Sequence, residues 1–180
     1  MNGGLRLLGE RVVASGSFLE LARRHYLGSG GRSARREIIR HPGAVAVVPV
    51  IDRDVVLISQ HRVAVGQNML EIPAGTRDQP GEDLEATAIR ECEEEVGYRP
   101  RRLTLLHTFY TAPGFTDECI WLYLGEELEP LPAHPQGIEE EQAEVVRLPI
   151  GEALRKVRDG EIRDAKTLIG LLALEKEWTA

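Results

Sequence analysis

Several things are scarce in this chain of 180 residues. It holds two cysteines, Cys92 and Cys119, so it has no disulfide framework, and their spacing is not that of a zinc site. A reduced, cytoplasmic setting is the expectation that follows. Basic residues are in the minority, with 22 Lys and Arg against 29 Asp and Glu and a formal net charge of −7. That balance argues against a nucleic-acid partner, which needs a broad basic surface. No apolar run approaches the roughly 20 residues that span a bilayer, and the first residues lack the apolar stretch of a secretion signal, so no membrane partner is expected. There is no internal repeat and no low-complexity segment. The rest is ordinary globular composition, 42% apolar and 28% charged, at a length that suits one domain with a full core.

What is present in unusual measure is glutamate between Asp83 and Val96. This stretch has no Gly or Pro and is rich in Ala, Leu and Glu, which predicts a helix of about four turns. Gly97 is placed to cap its C-terminus. Glu91, Glu94 and Glu95 fall at i, i+3 and i+4, so their carboxylates share one face, where like charges repel. A solvated acidic face is the plain explanation. Against it, Ala86, Ala88, Ile89, Cys92 and Val96 supply an apolar face for packing on a core. The helix also follows an apolar strand that ends at Pro73-Ala74-Gly75, and a polar loop with a Pro80-Gly81 turn signal. Arg90 is one charge against three, so a further cation is expected there. Mg²⁺, or Mn²⁺, suits hard carboxylate oxygens.

Gly75, Glu82 and the run Arg90-Glu91-Cys92-Glu93-Glu94-Glu95-Val96-Gly97-Tyr98 resemble the Nudix box: G, five residues, E, seven residues, R-E-U-x-E-E-x-G-U with U apolar. Six residues, not five, separate Gly75 from Glu82 here. The extra one falls in the loop Thr76 to Gly81, where insertion is cheap, and leaves the helix spacing intact.

Around this segment the chain reads as follows. Arg11 to Tyr26 alternates as two short strands about Ser15-Gly16, and Arg35 to Arg40 returns as a third, together a small antiparallel sheet. Ala44 to Ile51 is a near-continuous apolar run, a buried central strand. Asp52-Arg53-Asp54 turns into a partner strand, Val55 to Gln60, and Met69 to Pro73 makes another. Strands are expected at Arg102 to Thr111, Glu118 to Gly125 and Glu144 to Leu148, with an irregular loop from Glu126 to Gly137. Helical periodicity marks Ile150 to Asp159 and Ala165 to Trp178. The fold class expected is α/β: a Nudix-like α/β/α sandwich with a mixed sheet and a small N-terminal antiparallel sheet. The expected division is residues 1–42 as that sheet, a dimerisation element, and 43–180 as the hydrolase domain.

Further stretches resemble the ADP-ribose pyrophosphatase subgroup of this family. Pro113, within Ala112-Pro113-Gly114-Phe115-Thr116-Asp117, stands sixteen residues after Gly97, with Ala112 where Ser is more familiar. Gly16-Ser17-Phe18, Arg36-Glu37-Ile38-Ile39 and His41-Pro42-Gly43-Ala44-Val45 are similar to the subgroup's N-terminal region. Gln60-His61-Arg62 looks like a strand end that supplies a phosphate-binding arginine. Glu139-Glu140-Glu141 resembles a mobile loop that carries a further catalytic glutamate.

The resemblance implies Mg²⁺-dependent hydrolysis of ADP-ribose to AMP and ribose 5-phosphate. Glu91, Glu94, Glu95 and the Ala74 carbonyl would hold metal, with Glu82 as an outer contact. Arg90 would orient the carboxylates, and Arg62, Arg36, Phe18 and Pro113 would touch substrate. Glu141, by preference over Glu139 and Glu140, would position or deprotonate water. The N-terminal sheet would pack across a homodimer and help hold the adenine. Two other readings stay open. One is a Nudix hydrolase of another nucleoside diphosphate derivative, such as a nucleotide sugar, NADH or a dinucleotide. The other is a non-catalytic sensor that binds ADP-ribose.

Overall fold

A computed structural model of the chain describes residues 5–77, 79, 81–132 and 142–178. The chain forms two compact units, Met1–Gly43 with Tyr110–Cys119, and Ala44–Phe109 with Ile120–Ala180.

The first unit holds β1 (Arg6–Ser15), β2 (Glu20–Leu27) and β3 (Ser33–Arg40), antiparallel in the order β1-β2-β3. The first hairpin turns where Ser15-Gly16 was expected to turn, closed by the Gly16 N–H on the Leu19 carbonyl at 2.7 Å. β1 starts earlier than the sequence pattern suggested, because Arg6 to Glu10 continue the register against β2. The sheet buries little beyond Ala22. Cross-strand ion pairs take up much of its surface: Arg23 with Glu37 at 2.6 Å, Arg24 with Glu10, and Arg40 with Glu20 at 3.1 Å. The connection from Ala112 to Asp117 is more than a turn. The Ile39 N–H donates to the Phe115 carbonyl at 2.7 Å, and the Asp117 N–H donates back to the Ile39 carbonyl at 3.2 Å.

The second unit is a seven-stranded sheet with helices on both faces. Its strands are β4 (Ala44–Ile51), β5 (Asp54–Arg62), β6 (Gln67–Glu71), β7 (Ala74–Thr76), β8 (Tyr98–Tyr110), β9 (Cys119–Pro130) and β10 (Glu144–Pro149). The order is β10-β5-β4-β9-β8, with β6 on β5 and β7 on β4. β4 runs parallel to β9 and antiparallel to β5 and β7, so the sheet is mixed. Among the described residues the helices are α1 (Leu84–Val96), α2 (Ile150–Arg158) and α3 (Ala165–Trp178).

β4 shows why its sequence is apolar throughout. Ala44, Ala46, Val48 and Val50 pack with Ile150, Leu154, Leu171 and Leu174 of α2 and α3. Val45 and Val47 pack with Ala88, Cys92 and Val96 of α1. A strand covered on both faces has no polar side to show. Two further expectations are corrected. Met69 to Pro73, read as one strand, breaks at Ile72-Pro73 between β6 and β7. Glu126 to Pro130, read as loop, continue β9. Their acidic residues meet basic partners on β8, Arg102 with Glu126 at 2.5 Å and Arg101 with Glu129 at 2.5 Å. Charge complementarity across an exposed edge carries this strand where apolar alternation does not. Among the described residues no helix is long and apolar enough to cross a membrane.

Candidate active site

α1 begins where the sequence places it. Asp83 is the N-cap, its Oδ2 accepting the Glu85 N–H at 3.1 Å. Gly97 closes the other end at φ 71°, ψ 31°, a left-handed conformation that glycine adopts without strain. Between them Ala88, Cys92 and Val96 are buried in the core, which turns the glutamates toward one side. Burial pushes the Cys92 thiol well above its ordinary value, so it is an inert packing group.

Arg90 is the hub of that side. Its Nη1 lies 2.7 Å from Glu91 Oε1 and 3.0 Å from Glu94 Oε2. Its Nε and Nη2 donate to the two oxygens of Glu82 at 3.2 Å each. Thr87 Oγ1 also donates to Glu82, at 2.8 Å. The hydrogen bonds from Arg90 hold the Glu82 carboxyl below its ordinary value. Burial works against the Arg90 charge, but Glu82, Glu91 and Glu94 outweigh it and raise the pKa further. Arg90 is thus the one positive charge that the helix itself sets among Glu82, Glu91 and Glu94.

β7 forms the opposite wall. The Ala74 N–H donates to Glu95 Oε2 at 2.9 Å. Gly75 lies directly under Glu91: a Cβ there would sit 1.9 Å from the Glu91 carboxyl carbon. Only glycine leaves room for that carboxylate. Two residues on, Arg77 lays its guanidinium over the Trp121 ring at 5.1 Å.

The residues present suit a hard divalent cation. The donors are carboxylates, one of them (Glu91) 7% exposed and seated in a cradle that a side chain at Gly75 would fill. Among the described residues no three acidic, His or Cys side chains close into a cage by themselves.

Arg62 is neither a plain surface arginine nor a loose arm. Its Nε and Nη2 grip Glu71 Oε1 and Oε2 at 2.8 and 2.7 Å. Glu71 is 1% exposed, and the Lys166 ammonium also bonds its Oε2. Lys166 in turn lies 3.0 Å from Asp164 Oδ2. Burial alone would push the Glu71 carboxyl up, but Arg62 and Lys166 prevail and hold it below its ordinary value. Sequence reasoning did not single out Glu71 or Lys166. The signal was there, an acid inside Met69-Leu70-Glu71-Ile72-Pro73 and a lysine in the first turn of an apolar helix.

The structure therefore gathers Ala74, Glu82, Arg90, Glu91, Glu94 and Glu95, with Arg62 in the same unit. Phe18, Arg36 and Pro113 belong to the other unit. Phe18 is half exposed and meets His41 edge-on, with ring centroids 5.6 Å apart. Arg36 stands opposite Arg24 and bonds the Arg35 carbonyl at 2.8 Å. Pro113 is exposed in its turn. Glu139, Glu140 and Glu141 lie outside the described residues.

Comparison with known proteins gives one family and several activities. The family model for the NUDIX domain matches residues 40–169. An ADP-ribose pyrophosphatase of Bacillus subtilis (strain 168) is 37% identical over 94% of this chain and 92% of its own. A GDP-mannose pyrophosphatase of Cronobacter sakazakii is 37% identical over 77% of this chain and 80% of its own. A crystal structure of an ADP compounds hydrolase superposes with a TM-score of 0.84 at 25% identity, covering 97% of this chain and 94% of that one.

Proposed function

This chain belongs to the Nudix family and is a Nudix hydrolase, and on that premise we propose that it cleaves ADP-ribose to AMP and ribose 5-phosphate in a Mg²⁺-dependent reaction. The observation that carries the reading is the set of α1 carboxylates drawn against Ala74 and Gly75, in a chain similar over nearly its whole length to an ADP-ribose pyrophosphatase.

Nudix hydrolases generally use divalent metals. Glu91, Glu94, Glu95 and the Ala74 carbonyl would hold Mg²⁺, or Mn²⁺. When bound, the ion neutralises pyrophosphate charge and stabilises the charge that develops in the transition state. The rest falls to the chain. Arg90 keeps Glu91 and Glu94 oriented through its ion pairs with them. Arg62 offers a planar guanidinium to a phosphoryl oxygen. Glu141 takes the proton of the attacking water as oxygen adds to phosphorus and the bridging P–O bond breaks. Phe18, Arg36 and Pro113 hold the nucleoside end. The N-terminal sheet is too small to be stable alone and packs across a homodimer related by a two-fold axis. The setting is cytoplasmic.

A second reading has a specific observation behind it, the GDP-mannose pyrophosphatase relative: the same carboxylates would serve another nucleoside diphosphate derivative. The intact Arg90-Glu91 and Glu94-Glu95 pairs argue against a sensor without activity. Hydrolysis of ADP-ribose, GDP-mannose, NADH and a dinucleoside polyphosphate, each with Mg²⁺ and with chelator, tests both. ADP-ribose should show the largest kcat/KM, and chelator should abolish turnover. A larger kcat/KM for GDP-mannose transfers the assignment to the second reading, and metal-independent turnover refutes the metal assignment. For the base, Glu141→Gln should lower kcat far more than it weakens ADP-ribose binding, with Glu139→Gln nearly silent. A large loss in Glu140→Gln instead would move the role by one residue.

A further inference from the structure

The segment from Glu71 to Ala74, which leads into the carboxylate wall, is pinned at every residue. The Glu71 side chain holds Arg62 and Lys166. The Ile72 N–H donates to Thr167 Oγ1 at 2.9 Å, and that hydroxyl donates to Asp164 Oδ2 at 2.6 Å. The Pro73 carbonyl accepts the Val47 N–H at 3.0 Å. The Ala74 N–H reaches Glu95. β5, which ends in Arg62, the β6–β7 connection and the start of α3 thus meet at one carboxylate.

A buried ion pair is weak support for stability, since apolar groups of similar volume often serve as well. The Glu71 pair has a geometric property that such groups lack. Two parallel N–H···O bonds fix a guanidinium in its plane and in its direction, and they occupy Nε and Nη2 while leaving Nη1 outside the grip. Lys166 holds the Glu71 oxygen that Nη2 binds, so the carboxylate itself has little freedom to turn. Ala74, three residues beyond Glu71, carries the N–H that Glu95 accepts at 2.9 Å, so the brace and the α1 acids meet on one short segment.

We propose that Glu71, braced by Lys166, is a positioning residue that aims the Nη1 edge of Arg62 at a phosphoryl oxygen of the nucleoside diphosphate substrate. The proposal rests on the hydrolase reading above. Its chemical logic is preorganisation. A guanidinium that must first find its direction loses rotamer freedom on binding, and one already held does not. The effect should therefore appear in substrate capture more than in the chemical step.

Two variants separate this role from a structural one. Glu71→Gln abolishes the charged fork but keeps one acceptor. The double change Glu71→Met with Lys166→Met removes the buried charges together and leaves an apolar pair that can repack. Steady-state kinetics with ADP-ribose are read beside thermal denaturation of the same samples. If ADP-ribose is not turned over, the panel substrate with the highest kcat/KM takes its place. The expected result is a KM raised about tenfold or more in both variants, kcat within about threefold of the parent, and a melting temperature largely recovered in the double variant. In an Arg62→Ala background, Glu71→Gln should leave KM where Arg62→Ala alone puts it.

A parental KM in the double variant overturns the proposal, because the charges then serve only to hold the fold. A further tenfold rise on top of Arg62→Ala also overturns it, because Glu71 would act through some other group. If the parent hydrolyses a panel substrate and KM does not move, this inference fails and the hydrolase reading stands. If the parent hydrolyses none of them, both fail.

Discussion

At the Arg90 cluster one guanidinium is shared by three carboxylates, Glu82, Glu91 and Glu94. At the Arg62 cluster two cations, Arg62 and Lys166, meet two carboxylates, Glu71 and Asp164. Both lie in the second unit, both use an arginine as the organising group, and both join elements distant in sequence. They differ in balance. The second is complete in itself, and its geometry is that of a brace. The first gathers more acid than its arginine offsets, on a helix whose glutamates repel one another, beside a glycine that keeps a carboxylate's place open. Balance of charge, more than its amount, separates a group that holds from a group that binds.

The sharpest way to break the comparison is to unbalance the balanced cluster. Glu71→Ala leaves the inner end of Arg62 without its carboxylate and Lys166 with Asp164 alone. Removing one partner of a buried pair costs about 3–5 kcal/mol, and urea denaturation should show a loss of that order. A loss below about 1 kcal/mol would mean that water or neighbouring groups replace the carboxylate, and the brace is then no brace. The same residue fixes the sign of the acid response. The folded Glu71 pKa is depressed, so its contribution is complete above the ordinary carboxylate value of about 4.3. It is lost as pH falls below that value and through the lower folded one. Glu71→Gln should flatten the stability profile over that acid range and leave its slope near neutrality unchanged.

The unbalanced cluster should answer in the opposite way. Glu94→Gln or Glu95→Gln removes one of several repelling charges, so the metal-free protein should melt no lower than the parent. Hydrolysis at saturating Mg²⁺ should nevertheless fall about a hundredfold or more, the scale of one preorganised electrostatic group. In the parent, Mg²⁺ at about a hundred times its dissociation constant should stabilise by about 2.7 kcal/mol. Either variant should blunt that gain in calorimetry. Near-parental turnover in both would remove the metal assignment, and a marked drop in the metal-free melting temperature would make the acidic cluster structural as well.

How far each cluster could be read from the sequence follows from the same contrast. The acidic site is local. Asp83, Gly97 and the 3.6-residue spacing of Glu91, Glu94 and Glu95 lie within one helix, so periodicity and capping chemistry suffice to place them. The strand β4 was legible for a similar reason, since an unbroken apolar run has few homes other than a sheet covered on both sides. The brace is non-local. Lys166 and Glu71 are 95 residues apart, and nothing in the spacing of either reports the other. Gly75 was visible as part of a pattern, but its contact with Glu91 needs the strand and the helix assembled. Glu126 to Pro130 failed for a third reason: their strand rests on charges that pair with β8, and polar residues with a terminal proline read as loop when taken alone.

The smallest expected effect concerns the edge of the acidic site. Glu82 stands one residue before the N-cap of α1. Its position is set either by the cap or by its own bonds to Arg90 and Thr87. Asp83→Ala distinguishes the two. The substitution removes the Oδ2 acceptor of the Glu85 N–H but not the Asp83 carbonyl, which still takes the Thr87 N–H at 2.9 Å. One orphaned helix donor is thereby exposed to water in the first turn, and a lost cap costs about 1 kcal/mol. For a protein of this size that is a fall of about 2–4 °C in melting temperature. Because Glu82 keeps three hydrogen bonds from Arg90 and Thr87, kcat and the Mg²⁺ response should stay within about twofold of the parent, as for a surface change that leaves the charged groups in place. A tenfold fall in kcat with the same small loss of stability would show that the first turn of α1 positions Glu82. The acidic site would then depend on the fold around it as closely as Arg62 depends on Glu71.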